Sequence, residues 1–223
     1  MRIDVLTIFT SCYQGLNCSI VGKALEKGLI TLNVYDIRDY ADNKHKKVDD
    51  YPYGGGAGMV MTPQPLCDAI AACDPEHKAL RILMSPKGEA LNQKLVRKLS
   101  QVPYIMLVNG AYEGVDQRVT DSSIDMELSI GDYILTSGDL ASMVVINTIS
   151  RYIEGVLGSS ESVLEESFSQ GMLEYPQYTR PEVFRGMAVP EVLLSGNHKQ
   201  IAEWRAAESK KLTQKKRPDL LEE

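Results

Sequence analysis

Short apolar runs and helically spaced apolar residues succeed each other along most of the chain. Ile3 to Phe9 forms the first run and predicts a strand. Ile20, Val21, Ala24 and Leu25 then follow at helical spacing and predict a helix that Gly28 ends. A second strand is expected near Leu32 to Tyr35, and Thr62 followed by Pro63 reads as a cap with proline at the first helical position, opening a helix over Thr62 to Cys73. Next come a strand over Leu80 to Met84, a helix over Asn92 to Ser100, a strand over Tyr104 to Val108 and a helix-length run over Leu140 to Tyr152. Alternation of this kind predicts an α/β fold with a mainly parallel sheet covered by helices.

The pattern changes after Gly158. SSESVLEESFSQG is polar and rich in Ser and Glu, so an interdomain linker is expected over residues 159–174. The main domain then spans 1–158, and residues 175–223, with Pro176, Pro181, Pro190 and a helix from about His198, form a small second domain. No internal repeat is visible.

Composition narrows the class. With 223 residues, 43% hydrophobic and 24% charged, the chain is ordinary for a globular protein with one substantial core. No apolar run approaches the roughly 20 residues that cross a bilayer, and the opening MRIDVLTIFTSCYQG lacks the basic start and apolar stretch of a signal peptide, so a cytoplasmic protein without a membrane partner is expected. Cys12 and Cys18 are six apart, as are Cys67 and Cys73, unlike the short spacing of zinc sites; on one helix, six residues separate two side chains by about 240°. Buried free thiols are expected instead. The net charge of -6 weighs against a nucleic-acid binder, but Lys199, Arg205, Lys210, Lys211, Lys215, Lys216 and Arg217 make the last helix locally basic.

Four glycine-bearing segments are candidates for chemistry. YPYGGGAGM at Tyr51 to Met59 is neither a P-loop, which needs Gly-Lys-Ser/Thr where Met59 and Val60 follow Gly58, nor the dinucleotide fingerprint, which needs glycine at Met61. It remains either a ligand loop or a surface turn. MSPKG at Met84 to Gly88, VNGAYEG at Val108 to Gly114 and SIGDYILTSGD at Ser129 to Asp139 each follow a predicted strand. Ligands of open α/β sheets lie beside the carboxyl ends of strands, so these three loops predict one shared pocket.

These motifs, with YEGVDQR at Tyr112 to Arg118, SRYIEGVLG at Ser150 to Gly158, LEYPQYTRPEVF at Leu173 to Phe184 and VLLSGNH at Val192 to His198, make the chain resemble the bacterial tRNA (guanine-N(1))-methyltransferases, the TrmD family of the SPOUT class. The resemblance implies an α/β domain with a deep trefoil knot at the cofactor site, followed by a small helical C-terminal domain that binds tRNA. It implies a homodimer with the active site shared between subunits. It also implies methyl transfer from S-adenosylmethionine to N(1) of the guanine immediately 3′ of the anticodon, position 37. By the same resemblance Ser85, Pro86, Gly110, Gly114, Ile130, Gly131, Tyr133, Leu135 and Gly138 line the S-adenosylmethionine pocket.

Guanine N(1) carries a proton near neutral pH, so attack on the methyl group requires a base, and negative charge builds on the carbonyl oxygen. The resemblance assigns the base to an aspartate of an EDSF-like motif, read here as Glu165-Glu166-Ser167-Phe168, which makes Glu166 the candidate base. It further assigns Arg151 to charge stabilisation, Glu113 to a magnesium ion, and Ser167, Lys199 and Arg205 to tRNA. Glutamate at 166 is one departure from the family. Asn109 and Ala111 replace the cysteine and arginine of CGRYEG, and TSGDLA, with Ser137, Asp139 and Ala141, replaces TGGELP. These changes leave two other outcomes open, a methyltransferase of the knotted class acting on another RNA site and a catalytically silent RNA-binding relative.

Overall fold

A computed structural model describes residues 1–157 and 166–221; the chain divides into two compact units, Met1–Gly158 and Ser159–Glu223. In the first unit the elements run β1 (Arg2–Thr7), α1 (Ser19–Glu26), β2 (Thr31–Asp36), β3 (Asp49–Asp50), β4 (Val60–Met61), α2 (Pro63–Cys73), β5 (Leu80–Ala90), α3 (Gln93–Leu99), β6 (Tyr104–Asn109), α4 (Gln117–Ser123), β7 (Met126–Ser129) and α5 (Asp139–Ser150). Five strands form one parallel sheet in the order β2-β1-β6-β5-β7, and β3 and β4 make a separate antiparallel pair.

The central strands are continuous apolar runs because both of their faces are covered. Ile3, Val5, Ile82, Met84, Ile105, Leu107 and Leu128 point to one side, where they meet Val21 and Ala24 of α1, Leu95, Val96 and Leu99 of α3, and Val145, Ile146 and Ile149 of α5. Their alternate neighbours Leu6, Leu83, Met106 and Val108 point to the other side, towards Leu66, Ala69 and Ile70 of α2 and Val119 of α4. Pairing Ile3 with Ile105 and Val5 with Leu107 keeps each apolar set on its own face, since a slip of one residue would exchange the faces.

Gly28 does end α1. At φ +68 it lets its own N–H reach Leu25 O and that of Leu29 reach Ala24 O, a paired closure of the last helical turn. Other expectations need correction. Thr62 precedes α2 but does not cap it, because its hydroxyl donates to Val48 O; Pro63 alone marks the start. The cysteines are free but none is buried: Cys12 and Cys18 are exposed and Cys67 and Cys73 half-buried, because Leu66, Ala69 and Ile70 take the inner face of α2. MSPKG is no simple loop after β5. The strand continues to Ala90, and both Met84 and Glu89 pair with Leu128, so Ser85 to Gly88 bulge out of the register.

In the second unit, a hairpin of β8 (Val183–Phe184) and β9 (Met187–Ala188) precedes α6 (Glu191–Leu194) and α7 (His198–Lys216). Asn197 caps α7 by accepting from the N–H of Gln200 at 3.2 Å. Thr213 Oγ1 accepts from the N–H of Leu173 at 3.0 Å, and Ser209 donates to Leu173 O, which ties the preceding segment to the helix. Part of the expected linker, residues 159–165, lies outside the described residues; Glu166 to Gln170 form a turn.

Gly88 sits where the bulge returns to β7, and a Cβ there would lie 2.2 Å from Leu128 N and 2.3 Å from Glu127 C. Because both obstacles are backbone, Gly88→Ala should cost about 1–3 kcal/mol of unfolding free energy, as overpacking does. Chemical denaturation measures this, and an unchanged midpoint would mean that the bulge does not need the close approach.

Candidate active site

The carboxyl ends of β5, β6 and β7 are neighbours in the sheet, so the chain segments leaving them are brought together. They enclose a cavity of about 420 Å³. Its walls include Ser85, Pro86 and Lys87 from the bulge, Gly110 to Gly114 after β6, and Ile130, Gly131 and Tyr133 to Gly138 after β7. Every residue that the motifs assigned to cofactor contact, Ser85, Pro86, Gly110, Gly114, Ile130, Gly131, Tyr133, Leu135 and Gly138, lies in this wall.

Two loops meet across the end of the strand between them. The N–H of Gly138 donates to Gly110 O at 2.9 Å, and Ala111 and Ser137 form an antiparallel bridge. Gly138 makes this approach possible: a Cβ there would lie 3.0 Å from both Asn109 Oδ1 and Met84 Cβ. Within the loop after β7, Ser129 Oγ bonds the N–H and carbonyl of Gly131, and the Tyr133 hydroxyl donates to Ile130 O at 3.2 Å.

The segment YPYGGGAGM docks at its far end rather than lying loose. The N–H of Glu113 donates to Met59 O at 2.9 Å and that of Met61 to Gly114 O at 2.9 Å. Gly58, at φ +80, lies against the Glu113 side chain, where a Cβ would come within 2.5 Å of Cγ and Oε1. Tyr51 and Tyr53 in this segment are exposed.

The cavity fits S-adenosylmethionine in kind. Its size falls in the range of small-molecule sites, and its glycine-rich walls bring backbone donors and acceptors to the surface. Glu113 and Glu127 are the carboxylates of the cavity lining, and among the described residues no three of His, Cys, Asp and Glu converge. Magnesium is often held by one or two carboxylates with water and substrate oxygens completing its shell, so Glu113 at the cavity edge is compatible with it.

The remaining candidates stand elsewhere. Arg151 immediately follows α5, half-buried, and does not line the cavity. In the second unit, Glu166 and Ser167 are half-buried in the turn, with Ser167 Oγ accepting from the N–H of Glu174 at 3.0 Å. Lys199 is exposed in the first turn of α7. The Arg205 guanidinium lies 4.6 Å from the centre of the Tyr175 ring, and its Nε is buried without a hydrogen-bond partner among the described residues.

Motif reading singled out Asn109 and Asp139 only as departures and missed the polar cluster that they join beneath the cavity floor. Thr7, Tyr13, Asn109, Asp139 and Ser142 are all buried and hydrogen-bonded to one another. Burial pushes the Tyr13 phenol well above the usual tyrosine range, and the neighbouring Asp139 adds to this. Thr7 and Asn109 ending apolar strands were the available signal.

The fold and cavity together define a class, an α/β protein with a parallel sheet and a glycine-walled ligand site at the carboxyl ends of its strands. The family model described as tRNA (Guanine-1)-methyltransferase TrmD matches residues 1–223, and the chain belongs to that family. It is 52% identical over 220 residues to a tRNA (guanine-N(1)-)-methyltransferase of Clostridium botulinum strain Hall, covering 99% of this chain and 91% of the relative. Similar relatives of the same description occur in Clostridium kluyveri, at 49% over 222 residues with 100% and 91% covered, and in Clostridium novyi, at 50% over 223 residues with 100% and 92% covered.

Gly138→Ala, whose new methyl must displace Asn109 or Met84, should lower the unfolding free energy by about 1–3 kcal/mol. A melting temperature equal to that of the unmodified protein would contradict the tight floor described here.

Proposed function

We propose that the protein is a methyltransferase that moves the methyl group of S-adenosylmethionine to N(1) of the guanine immediately 3′ of the anticodon, position 37 of tRNA. The observation that carries this reading is the meeting of the motif-assigned residues in one cavity, in a chain of this family. S-adenosylmethionine supplies an electrophilic methyl group when bound. The backbone groups of Gly110, Gly114, Gly131 and Gly138 hold and orient it, while Pro86, Ile130, Tyr133 and Leu135 exclude water from its apolar parts.

Glu166 removes the N(1) proton as general base. Glutamate and aspartate side chains carry the same carboxylate, and one that is a methylene longer remains competent where the backbone around it accommodates the added reach. Arg151 stabilises the charge that gathers on the guanine carbonyl oxygen. Ser167, Lys199 and Arg205 bind tRNA, with Arg205 already desolvated at Nε above an aromatic ring. Glu113 is the residue that would hold a magnesium ion, which would supply further charge neutralisation.

The routing of the chain supports a trefoil knot. After β7 at the sheet edge, the chain crosses the end of β5 to pair with the segment leaving β6 before α5 returns to the core. A homodimer with a shared active site is supported by Leu140 and Val144, one turn apart and exposed on α5, whose other side belongs to the core. Among the described residues no helix is long and apolar enough to cross a membrane, and we place the protein in the cytoplasm with its tRNA substrate. Residues 1–158 act as the S-adenosylmethionine domain, 159–174 as the linker and 175–223 as the tRNA-binding domain.

The test is methyl transfer from labelled S-adenosylmethionine to unmodified tRNA carrying guanine after the anticodon, with the product mapped. Glu166→Gln should lower the rate at least about 100-fold, as loss of a general base does, while leaving cofactor affinity unchanged. Full activity of that variant would remove the base assignment. A product elsewhere on RNA, or none from the unmodified protein, would overturn the substrate or the activity.

A further inference from the structure

Beneath the cavity floor lies a buried carboxylate that the proposed chemistry does not use. Asp139 opens α5 and is 2% exposed. Its Oδ1 accepts from Thr7 Oγ1 at 2.6 Å and from the Tyr13 hydroxyl at 3.1 Å, while Oδ2 accepts from Ser137 Oγ at 2.7 Å. The Tyr13 hydroxyl itself accepts from Asn109 Nδ2 at 2.8 Å, and Asn109 Oδ1 accepts from Ser142 Oγ at 2.5 Å. A weaker contact of 3.4 Å joins Asn109 Nδ2 to Asp139 Oδ1 directly.

Removing a carboxylate from water is costly. No cation pairs with Asp139 among the described residues, so hydroxyl and amide donors and the amino end of α5 must compensate it. Apolar residues would fill the same space without that cost. What the polar hub adds is connection: it joins the end of β1, the turn Thr10–Asn17, the end of β6 and the start of α5.

Those last two places are where the cavity loops begin and end. Ser137 and Gly138 form one wall and Gly110 and Ala111 another, yet β5 lies between β6 and β7 in the sheet, so no ladder between β6 and β7 sets the spacing of their loops. The loops meet through the Gly138 to Gly110 backbone bond and through the hub.

We propose that Asp139 is a positioning residue for the cofactor: through Ser137 on one side and Tyr13 and Asn109 on the other, it holds the two glycine loops at the separation the ligand requires. The inference rests on reading this cavity as the S-adenosylmethionine site. Tyr13 does not line the cavity, so any effect of its hydroxyl on the ligand must travel through the hub.

Calorimetric titration with S-adenosylmethionine and with S-adenosylhomocysteine tests this, alongside the melting temperature of the ligand-free protein. Measured well below the melting transition, which itself falls when a buried carboxylate loses a donor, Ser137→Ala and Tyr13→Phe should each weaken both ligands roughly tenfold, because each cuts the same connection between loops. The double variant should then bind about as well as the weaker single variant, where independent effects would multiply. Asp139→Asn, which keeps an acceptor towards Thr7 and Tyr13, should retain more affinity than Asp139→Ala. Affinities within twofold of the unmodified protein in both single variants, or a double variant losing the product of the single losses, would overturn the inference. If the unmodified protein binds neither ligand, the functional reading itself fails, a distinct result.

Discussion

Burial of β1 and β6 on both faces is the constraint from which the first unit follows. Ile3, Val5 and Leu6, like Ile105, Met106, Leu107 and Val108, are removed from water whichever way they point, so each face needs its own layer of helices. Parallel pairing forces each connection to travel from one end of the sheet to the other, and helices are the economical way to do so. All strands of the sheet therefore finish at the same end. The segments leaving β5, β6 and β7 are the irregular backbone that remains there, and glycine lets that backbone come close.

The same burial makes polar residues in the sheet expensive and so informative. Asp4 is fully buried in β1, where Arg2, Asn33 and Tyr104 satisfy both oxygens, and Arg2 also lies over the Tyr104 ring at 4.2 Å. Asp139, near the opposite end of β1, has hydroxyl and amide donors instead of a cation. One cluster closes the end of the sheet remote from the cavity, and the other underlies the cavity itself. Asn109, Ser137 and Asp139 lie in separate motifs along the sequence, yet they are joined within one hydrogen-bonded cluster.

The second unit uses a different economy. Its long helix α7 presents Lys199, Lys210, Lys211, Lys215 and Lys216, while Ser209 and Thr213 are its buried positions, both bonded to Leu173. Planar groups supplement this small buried surface: Arg205 lies over Tyr175, Arg217 over Phe168, and Tyr178 beside Trp204 at 6.3 Å. A chain with a net charge of -6 thereby keeps a locally basic helix.

Much of this was legible in the residues alone. The long strands and helices could be read because their apolar spacing is a local property; Gly28 announced its helix end, and ordered motifs identified the family. The short helix α4, with one buried apolar residue in Val119, carries too little periodic signal to be read, and β7, with MELS, is legible only as the strand before the Ser129 loop. Thr62 looked like a cap, but a hydroxyl takes whichever partner is nearest in three dimensions, here Val48 O. How far Cys67 and Cys73 are covered depends on the rotation of α2 against the sheet, and that is set by Leu66, Ala69 and Ile70 together. The sequence by itself determined the class of fold, the family and the residues that wall the cavity, since each is encoded in neighbours along the chain. Only the tertiary structure decided that Thr7, Tyr13, Asn109, Ser137 and Asp139 are one cluster, because hydrogen bonds between residues as far as 132 positions apart leave no local pattern.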